Sequence, residues 1–404
     1  MNNRKTILLL GGSAAQVIAI KKAKELGYRT VLCDYLTDNP GKSYADVYYP
    51  ESTTDKEAIL QIAIKEEISG IVAYSSDPAA PTAAFVANKL NLPGINYEIA
   101  CKFCEKQLFR KFLEENGFNV PKSLSITTPF DYNLVDTSSL RFPVIVKPTD
   151  SSGSKGITVL KDKRGLVEAL KYAQKYSRNH MLIIEEFIER DHPYVIEAEI
   201  FALNGEVVSW GLINSIRDSS SNPLLPSAYS YPLDLNDKRK KIVKEEITKL
   251  IKATGNTSGA FNIEMIIDTN DDLYFLDAGP RNGGNMLPEY ISMISGKDIV
   301  GATIKNAMGE ADNIDVSLDG TSGGFWGLGV LHTTESGHFK GIQYSDLANR
   351  CLVREEIQKQ IGDEVSPFLR CNDLIGLNFY HFETKSDMDV VMIGMEKSAK
   401  VLVQ

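Results

Sequence analysis

The sequence has few of the residues on which redox, zinc and nucleophile-based chemistry depend. Its 404 residues include five cysteines and five histidines. An odd, small number of cysteines in a long chain is typical of a reducing compartment rather than of a disulfide framework, so we expect a cytoplasmic protein. Cys101 and Cys104 form a C-x-x-C pair, but no second pair follows, which disfavours a zinc or redox site. No Ser–His or Cys–His nucleophile set stands out.

Long apolar runs and runs of positive charge are also missing. No stretch approaches the roughly 18–20 apolar residues that a membrane span needs, and the apolar run that follows M-N-N-R-K is too short for a signal peptide. The formal net charge is −9, which argues against a general nucleic-acid binder. We therefore expect small-molecule partners, with no nucleic acid and no membrane, in a chain whose length suggests two to three domains. A homodimer is compatible with this composition.

Two common phosphate-binding motifs are incomplete. The G-K-S at 41–43 ends like a Walker loop, but Leu36 stands where that motif needs its first glycine. In the dinucleotide fingerprint G-x-G-x-x-G, Ser13 and Gln16 replace the second and third glycines. Asp34 does end the next predicted strand, where a ribose-binding acid could lie. An NAD-dependent enzyme therefore stays as an alternative that lacks its full motif.

Strand and helix patterns alternate along the first hundred residues. Strands are predicted at 6–10, 30–33 and 70–74, and such alternation favours a doubly wound α/β sheet. Ser76 and Asp77 follow the third strand, at the edge where open α/β sheets place ligands. They are candidate substrate residues, with helix capping as the other interpretation.

The most informative stretch is 261–285, which predicts a β-hairpin with strands at 263–267 and 273–276. If 270–271 are the central turn residues, Glu264 and Asp277 lie opposite each other. Directly opposed Cβ atoms are about 4.5–5.5 Å apart, and like charges there repel. The pair is therefore predicted to hold a cation, and hard oxygen ligands suit Mg²⁺ or Mn²⁺. Acids that simply face water are the alternative.

Further candidate residues surround this hairpin. Arg281 and the flexible residues 282–285 follow it and offer a cation and open amides. The stretch 214–231 has little periodicity and predicts a long irregular loop, which is frequently functional. Its Arg217 is a candidate for an anionic substrate group, and a surface arginine is the other interpretation. A Gly/Ser-rich loop at 149–157 separates two predicted strands and suits a flexible cover over phosphates.

Longer helical patterns complete the prediction. One helix is expected over 99–116 and another over 288–308, and the chain is expected to end in a helix at 387–400.

The order of these motifs resembles the ATP-grasp superfamily. A helical lysine, V-I-V-K-P, the Gly/Ser loop, I-I-E-E-F-I, F-N-I-E-M-I-I-D and L-D-A-G-P-R-N-G-G follow one another along the chain. The resemblance covers essentially all of the sequence. It implies an α/β fold with a Rossmann-like N-terminal domain at 1–98, ATP-grasp α+β domains at 99–310 and a small C-terminal α+β lid module at 311–404. Residues 122–187 would form the part that covers the nucleotide.

The resemblance also implies roles for individual residues. Lys106 and Lys147 would contact the phosphates or the adenine edge of ATP, the glycine loop would close over the triphosphate, and Glu185 and Ile188 would hydrogen-bond adenine. The implied ATP-binding residues are Lys106, Lys147, Ser152, Gly153, Ser154, Gly156, Glu185, Glu186, Phe187, Ile188 and Glu197, the last near the ribose. The implied catalytic residues are Arg281, Glu264 and Asp277, of which Glu264 and Asp277 would hold the metal. The implied substrate residues are Arg217, Arg281, Asn282, Gly283 and Gly284.

Two positions depart from the superfamily pattern. Asp277 stands where glutamate is usual, and Gly279 stands where a further metal ligand, asparagine, is usual. These changes predict a metal site with fewer protein ligands, in which one ion is held firmly and a second mainly through ATP.

The implied activity is that of an ATP-dependent carboxylate–amine ligase that forms an acyl phosphate and releases ADP and phosphate. Among its types we rank an amino-acid ligase ahead of a phosphoribosylglycinamide synthetase, because no distinct sugar-phosphate motif is found. A nucleotide-binding protein without turnover is a further alternative.

Overall fold

A four-stranded parallel sheet forms the N-terminal part of the computed structural model, which describes residues 4–151, 153–217, 222–255, 257–321 and 323–404. Its strands are β1 (Thr6–Leu10), β2 (Arg29–Cys33), β3 (Val47–Tyr49) and β4 (Gly70–Val72), in the spatial order β3-β2-β1-β4. Helices α1 (Val17–Glu25), α2 (Lys56–Lys65) and α3 (Ala80–Lys89) accompany them. All five residues of β1 are buried, as expected for an apolar strand covered on both faces. The predicted α/β sheet is confirmed, whereas β3 was not predicted.

The helical stretch that follows is broken into two helices. They are α4 (Tyr97–Cys104) and α5 (Lys106–Glu115). The single helix predicted over 99–116 is therefore wrong, because Glu105 has an extended backbone with φ −118° and ψ 114°. The break makes Lys106 the first residue of a new helix.

A four-stranded antiparallel sheet carries the glycine loop. Its strands are β5 (Ser123–Thr127), β6 (Val144–Pro148), β7 (Thr158–Leu160) and β8 (Met181–Glu186), in the order β5-β8-β6-β7. Helix α6 (Leu166–Gln174) packs its buried residues against this sheet. The glycine loop joins β6 to β7 and therefore lies at one end of a rigid hairpin.

An eight-stranded sheet forms the centre of the molecule. Its strands are β9 (Val195–Leu203), β10 (Glu206–Arg217), β11 (Pro226–Tyr231), β12 (Gly259–Ile267), β13 (Leu273–Gly279), β14 (Phe325–Leu331), β16 (Leu352–Ile357) and β18 (Gly376–Phe382). Their order is β13-β12-β9-β10-β11-β14-β18-β16, and all neighbouring pairs are antiparallel. Helix α7 (Asp237–Ala253) covers one face, and α8 (Leu287–Ser295) covers the other.

The irregular loop predicted over 214–231 is wrong, because most of it belongs to β10 and β11. All six residues of β11 are buried, including Ser227 and Ser230. Strand preference depends on packing against neighbouring strands more than on local sequence, and β11 lies between two other strands of the sheet. Residues 218–221, between these strands, lie outside the described residues.

The C-terminal quarter both extends the central sheet and adds a small one. Strands β15 (Gly337–Tyr344), β17 (Glu364–Val365) and β19 (Ala399–Val403) form a sheet in the order β17-β15-β19, accompanied by α10 (Asp346–Cys351), α11 (Lys385–Ile393) and α12 (Met395–Ser398). The helix predicted over 387–400 is wrong at its end, since β19 begins at Ala399. Because β14, β16 and β18 continue the central sheet, the proposed boundary at 310/311 does not separate two sheets. Short 3-10 helices lie at Ala14–Gln16, Pro40–Ser43, Tyr132–Leu134, Ala311–Asn313 and Cys371–Asp373.

The helix predicted over 288–308 is also divided. It consists of α8 and of α9 (Ile299–Ala307). Gly296 ends α8 with a φ of +67°, a left-handed conformation that glycine adopts without strain. Helix α9 packs against α1 of the N-terminal part and against β12 of the central sheet, so it joins the two regions.

Candidate active site

Three carboxylates lie in one row across neighbouring strands of the central sheet. Glu264 on β12 is opposite Asp277 on β13, and on its other side it is opposite Glu197 on β9. Directly opposed residues project their side chains from the same face of a sheet. The predicted opposition of Glu264 and Asp277 is thus confirmed, and a third acid joins them.

The turn that produces this opposition differs from the predicted one. Ile267 pairs with Leu273 and Met265 with Phe275, so the turn is centred on Asn270 and not between residues 270 and 271. An irregularity next to Glu264 then leaves one extra residue in β13 and moves Asp277 into register. Such β-bulges are frequent at sheet edges and beside active sites. The predicted pairing was right although its assumed turn was wrong.

Protein cations already pair with two acids of the row, Asp277 at its end and Glu264 at its centre. Lys106 Nζ lies 3.3 Å from Asp277 Oδ2, and Arg217 Nη2 lies 3.1 Å from Glu264 Oε1. The carboxylate side chains remain 43% and 32% exposed, respectively. Burial by itself would raise the pKa of Asp277, but Lys106 and Lys147 lower it below its ordinary value. Both acids are therefore half-open and contact protein cations that a divalent ion can replace.

Glu197 is the buried member of the row. Its Oε1 accepts a hydrogen bond of 3.1 Å from Asn262 Nδ2, whereas its Oε2 is buried without a partner among the described residues. Burial, with the nearby charge of Glu264, raises the pKa of Glu197 to about 7. The sequence placed this residue near the ribose of ATP, and the structure places it beside Glu264.

Lys147 is held by a buried group of charges. Its Nζ lies 2.5 Å from Glu185 Oε2, and Arg110 Nε lies 2.7 Å from Glu185 Oε1. Glu185 is only 2% exposed. Burial alone would raise the pKa of Glu185, but Arg110 and Lys147 lower it to about 2. The carboxylate of Glu185 is thus committed to Lys147 and Arg110, and the contact of this residue with adenine stays a prediction.

The other predicted hinge residues are Glu186, which ends β8, and Phe187 and Ile188, which follow it. The Phe187 N–H donates to Pro143 O at 2.9 Å, and the Glu186 carboxylate accepts from the Arg141 N–H at 2.9 Å. The Ile188 N–H has no acceptor among the described residues. Of the predicted hinge residues, Ile188 therefore keeps a free backbone donor.

The glycine loop is docked onto the central sheet. Gly153 and Gly156 have φ values of +66° and +76°, left-handed conformations that glycine adopts without strain. Ser154 Oγ donates to Leu224 O at 3.1 Å, the same carbonyl that accepts from Arg217 Nη1 at 2.8 Å. The loop is thereby joined to the cation that holds Glu264. Ser152, also predicted for this loop, lies outside the described residues.

Arg281 does not point freely into the site. Its Nε and Nη2 donate to the two carboxylate oxygens of Asp77 at 2.7 and 2.6 Å. The Gly283 N–H donates to Glu199 Oε2 at 2.8 Å, and Asn282 Nδ2 donates to Glu199 Oε1 at 3.1 Å. Both donors are therefore used internally in this structure, and the contacts of Asn282 and Gly283 with substrate stay predictions.

Gly284 keeps its predicted openness. A Cβ added at this position would meet nothing within 4 Å. The residue is followed by α8, whose Leu287 N–H donates to Gly284 O at 3.0 Å. Of the predicted substrate residues that follow Arg281, Gly284 is thus the one with space around its backbone.

Sequence reasoning missed three residues that organise the site. They are Arg110, Glu199 and Asn262. Arg110 stands four residues after Lys106 and shares its helix face, and Glu199 shares a strand face with Glu197 because side chains alternate. Both spacings could be read from the sequence. Asn262 stands two residues before Glu264, so the alternation of side chains along a strand was its one signal.

A cleft of about 290 Å³ opens beside the row of acids. Asp277 and Lys106 line its inner end, Asp77 lines the side formed by the N-terminal sheet, and Pro78 and Phe103 supply apolar walls. The cleft provides room for a small molecule next to Asp277.

The alternative phosphate-binding turn near the N-terminus is already satisfied. The Gly12 N–H donates to Asp34 Oδ2 at 2.7 Å, and the Ser13 N–H donates to Gln16 Oε1 at 2.9 Å. The Gly12 amide is thus paired with Asp34 and the Ser13 amide with Gln16, which argues further against the NAD-dependent alternative. In the described part of the chain, no group of three or more His, Cys, Asp and Glu side chains is arranged to hold a metal ion. No described helix has the length and apolar character of a membrane span.

The family model of the carbamoyl-phosphate synthase L chain ATP-binding domain matches residues 105–314. The chain belongs to this family. The matched residues include the acids of the row, Lys106, Lys147 and the glycine loop, and membership confirms the resemblance to the ATP-grasp superfamily. The matched range contains the glycine-loop sheet and strands β9 to β13 of the central sheet.

Two curated relatives illustrate the similarity in sequence. The carbamoyl phosphate synthase large chain of Clostridium botulinum is 28% identical over 309 residues, which cover 74% of this chain and 28% of the relative. The protein y4rH of Sinorhizobium fredii is 25% identical over 271 residues, which cover 65% of this chain and 54% of y4rH. The chain therefore spans about a quarter to a half of the length of these relatives.

Solved structures agree on the fold. The L-amino acid ligase of Bacillus licheniformis matches with a TM-score of 0.83 and 18% identity, and phosphoribosylglycinamide synthetase of Anaerococcus prevotii matches with a TM-score of 0.76 and 23% identity. Each match covers 100% of both chains. At these identities, the likeness establishes a shared fold.

Proposed function

We propose that the protein is an ATP-dependent carboxylate–amine ligase. The observation that carries this proposal is the pair of half-open acids, Glu264 and Asp277, which face each other on adjacent strands beside Lys106 and the docked glycine loop. An acid pair, flanking cations and a nest of backbone amides are the groups that a nucleotide triphosphate requires.

The nucleotide would lie between the glycine-loop sheet and the central sheet. Lys147 is fixed by Glu185 and would contact ATP phosphates as a positioned charge, and Ile188 would offer its free N–H to adenine. The loop at 153–156 would cover the triphosphate through its amides. Its existing contact with Leu224 supports this closed position.

The donor set fits a divalent cation such as Mg²⁺ or Mn²⁺. Glu264 and Asp277 offer hard oxygen ligands, and each already attracts a protein cation. Glu197, whose buried Oε2 has no partner among the described residues, lies in the same row, but no three such side chains of the described chain are arranged to hold a metal ion, so the proposed ligands are Glu264 and Asp277. When bound, the metal ion would supply neutralisation of phosphate charge. Lys106 and Arg217 would then be released from the acids to contact phosphate or substrate oxygens.

The chemistry requires activation of a carboxylate. A carboxylate repels nucleophiles and has no good leaving group. Transfer of the γ-phosphoryl group from ATP to a carboxylate oxygen releases ADP and gives an acyl phosphate. Attack of an amine on its carbonyl carbon then forms the C–N bond and expels phosphate, while the amine loses a proton. Phosphoryl transfer depends mostly on positioning and charge neutralisation, for which Lys106, Lys147 and Arg281 are the proposed groups.

An amino-acid ligase is the proposed type. Support comes from the close match in fold to the L-amino acid ligase over the whole of both chains and from the small, partly apolar cleft beside Asp277. Phosphoribosylglycinamide synthetase is the second candidate, because its fold also matches over the full length. A protein that binds nucleotide without turnover is the remaining alternative.

A phosphate-release screen tests these proposals. The protein is incubated with MgATP and with pairs of amino acids, with amines, or with phosphoribosylamine plus glycine. We expect phosphate release that depends on both a carboxylate and an amine, with ADP and an amide formed in equal amounts. Release with phosphoribosylamine plus glycine alone would select the second candidate. Saturable ATP binding without release in any combination would contradict the ligase proposal.

A further inference from the structure

Arg281 is joined to the N-terminal part of the molecule by a two-bond ion pair. Its Nε and Nη2 atoms lie 2.7 and 2.6 Å from the two oxygens of Asp77, a residue 204 positions away. The two side chains are 15% and 23% exposed. Parallel N–H···O bonds of this kind fix the plane of the guanidinium as well as its position.

Other contacts complete the orientation of this guanidinium. Nη1 donates to Asn262 Oδ1 and to Asn282 O, both at 3.1 Å. Asn262 lies on β12, two residues from Glu264, so its hydrogen bond connects Arg281 to the strand that carries the central acid of the row. Of the five N–H donors of an arginine, one on Nη2 is then left for a ligand among the described contacts.

Gly279 provides the space for this arrangement. A Cβ at position 279 would lie 2.6 Å from Asp77 Oδ1 and 2.8 Å from both Cζ and Nε of Arg281. Real Cβ atoms essentially never approach other atoms so closely. The φ of Gly279 is not in the left-handed region, so the requirement for glycine here is steric and not conformational.

We propose that Asp77 is a positioning residue for Arg281, and that Gly279 is present because any side chain there would break their ion pair. This inference rests on the proposed function only for the role of Arg281 in catalysis. The N-terminal sheet thereby takes part in the reaction: the loop after β4 holds the guanidinium next to Asp277. A second bond in the same loop, from Ser75 Oγ to Gly283 O at 2.7 Å, keeps the two segments together.

A double-mutant cycle tests the steric part without any substrate. Gly279→Asn should lower the thermal midpoint of the ligand-free protein by several degrees. In an Asp77→Ala background, Gly279→Asn should lower the thermal midpoint by less than half as much, because one of the two colliding side chains has been removed. Gly284→Asn, at a glycine with open space, is the stability control. Equal losses in both backgrounds would overturn the role given to Gly279.

Kinetics test the positioning part. Asp77→Asn should lower kcat by about 10²-fold, since misplacement of a catalytic group by about 1 Å has effects of this size. The KM for ATP and the thermal stabilisation by MgATP should change less than twofold, because the hydrogen bonds described for the Asp77 carboxylate go to Arg281 and not to a proposed nucleotide contact. Asp162→Asn, which removes the charge from an exposed pair with Arg164, is the matched control and should leave kcat unchanged.

The outcomes separate this inference from the proposed function. An unchanged kcat in Asp77→Asn overturns the positioning role. A parallel loss of MgATP stabilisation also overturns it, because Asp77 would then support folding or nucleotide binding. If the wild type releases no phosphate with any substrate, the positioning role falls together with the ligase proposal, while the cycle still decides whether Gly279 accommodates the ion pair.

Discussion

Two acid clusters near the proposed nucleotide site contrast sharply in their surroundings. Glu185, in the glycine-loop sheet, is 2% exposed and has Arg110 and Lys147 at 2.7 and 2.5 Å. Glu264 and Asp277, in the central sheet, are 32% and 43% exposed and have single cations at 3.1 and 3.3 Å. Glu185 is fully paired with two cations and holds Lys147 in place. The second pair is only partly neutralised and can exchange its partners.

The difference indicates how one protein can use the same residue types for two purposes. A buried acid with two short ion pairs holds them permanently, because removal of any member leaves a charge without a counter-ion. The loss of a protein cation costs less free energy at a half-exposed acid, because water solvates the charge that remains. Under the proposed function, binding of a metal–nucleotide complex would therefore require exchange at Glu264 and Asp277, and none at Glu185.

The largest expected effect comes from the open pair. Glu264→Gln should reduce turnover by about 10³-fold or more, since a metal site contributes several kcal/mol of charge stabilisation in the transition state. The fold should be retained, because Arg217 keeps its bond to Leu224 O. Phosphate release and the thermal midpoint are measured together, with Glu206→Gln at an exposed position of β10 as the control. Near-normal phosphate release would remove Glu264 from the site.

The saturated cluster should respond in the opposite way. Glu185→Ala leaves Arg110 and Lys147 buried without a counter-charge, which is expected to cost about 3–5 kcal/mol of folding free energy. Denaturant unfolding followed by circular dichroism measures the loss. Glu245→Ala removes an exposed pair on α7 and should leave stability nearly unchanged. Equal stabilities of the two variants would erase the contrast between the clusters.

A smaller effect concerns the pH dependence of stability. Burial raises the pKa of Glu199 to about 8, despite hydrogen bonds from Gly283 and Asn282. The folded state thus binds the proton more tightly than the unfolded state does. The contribution of Glu199 to the stability of the fold is greatest below the ordinary glutamate pKa and is lost as the pH rises toward about 8.

Thermal midpoints measured from pH 5 to pH 9 check this expectation. The wild type should lose stability across this range, and Glu199→Gln, which cannot ionise, should lose less. Glu206→Gln should follow the wild-type curve. If Glu199→Gln shows the full wild-type slope, the pH dependence belongs to other groups, among which Glu197 is the first to test.

Much of the architecture could be predicted because local patterns carried it. The run T-I-L-L-L predicted a buried strand, and alternation around Glu264 and Asp277 predicted a hairpin. The opposition of these acids was predicted correctly, although the predicted turn was centred on 270–271 and the irregularity of β13 at Leu276 was not predicted. Motif order then identified the superfamily, since several weak signals in one sequence order are more specific than any of them alone.

The parts that could not be predicted depend on long-range contacts. Asp77 and Arg281 are 204 residues apart, and nothing in the local sequence of either residue indicates the other. The committed donors of Asn282 and Gly283 likewise depend on Glu199, which reaches them from β9. Strand β11 was misassigned because its serines are buried by neighbouring strands and not by a local pattern.

The central claim is that Glu264 and Asp277 grip a divalent ion that carries the terminal phosphates of ATP. Calorimetric titration with ATP, in the presence and absence of Mg²⁺, tests it most directly in the wild type and in the Glu264→Gln/Asp277→Asn variant. The account predicts that Mg²⁺ tightens ATP binding by at least about tenfold in the wild type and has little effect in the variant, whose affinity for metal-free ATP is not reduced. An equal Mg²⁺ enhancement in both proteins would contradict it.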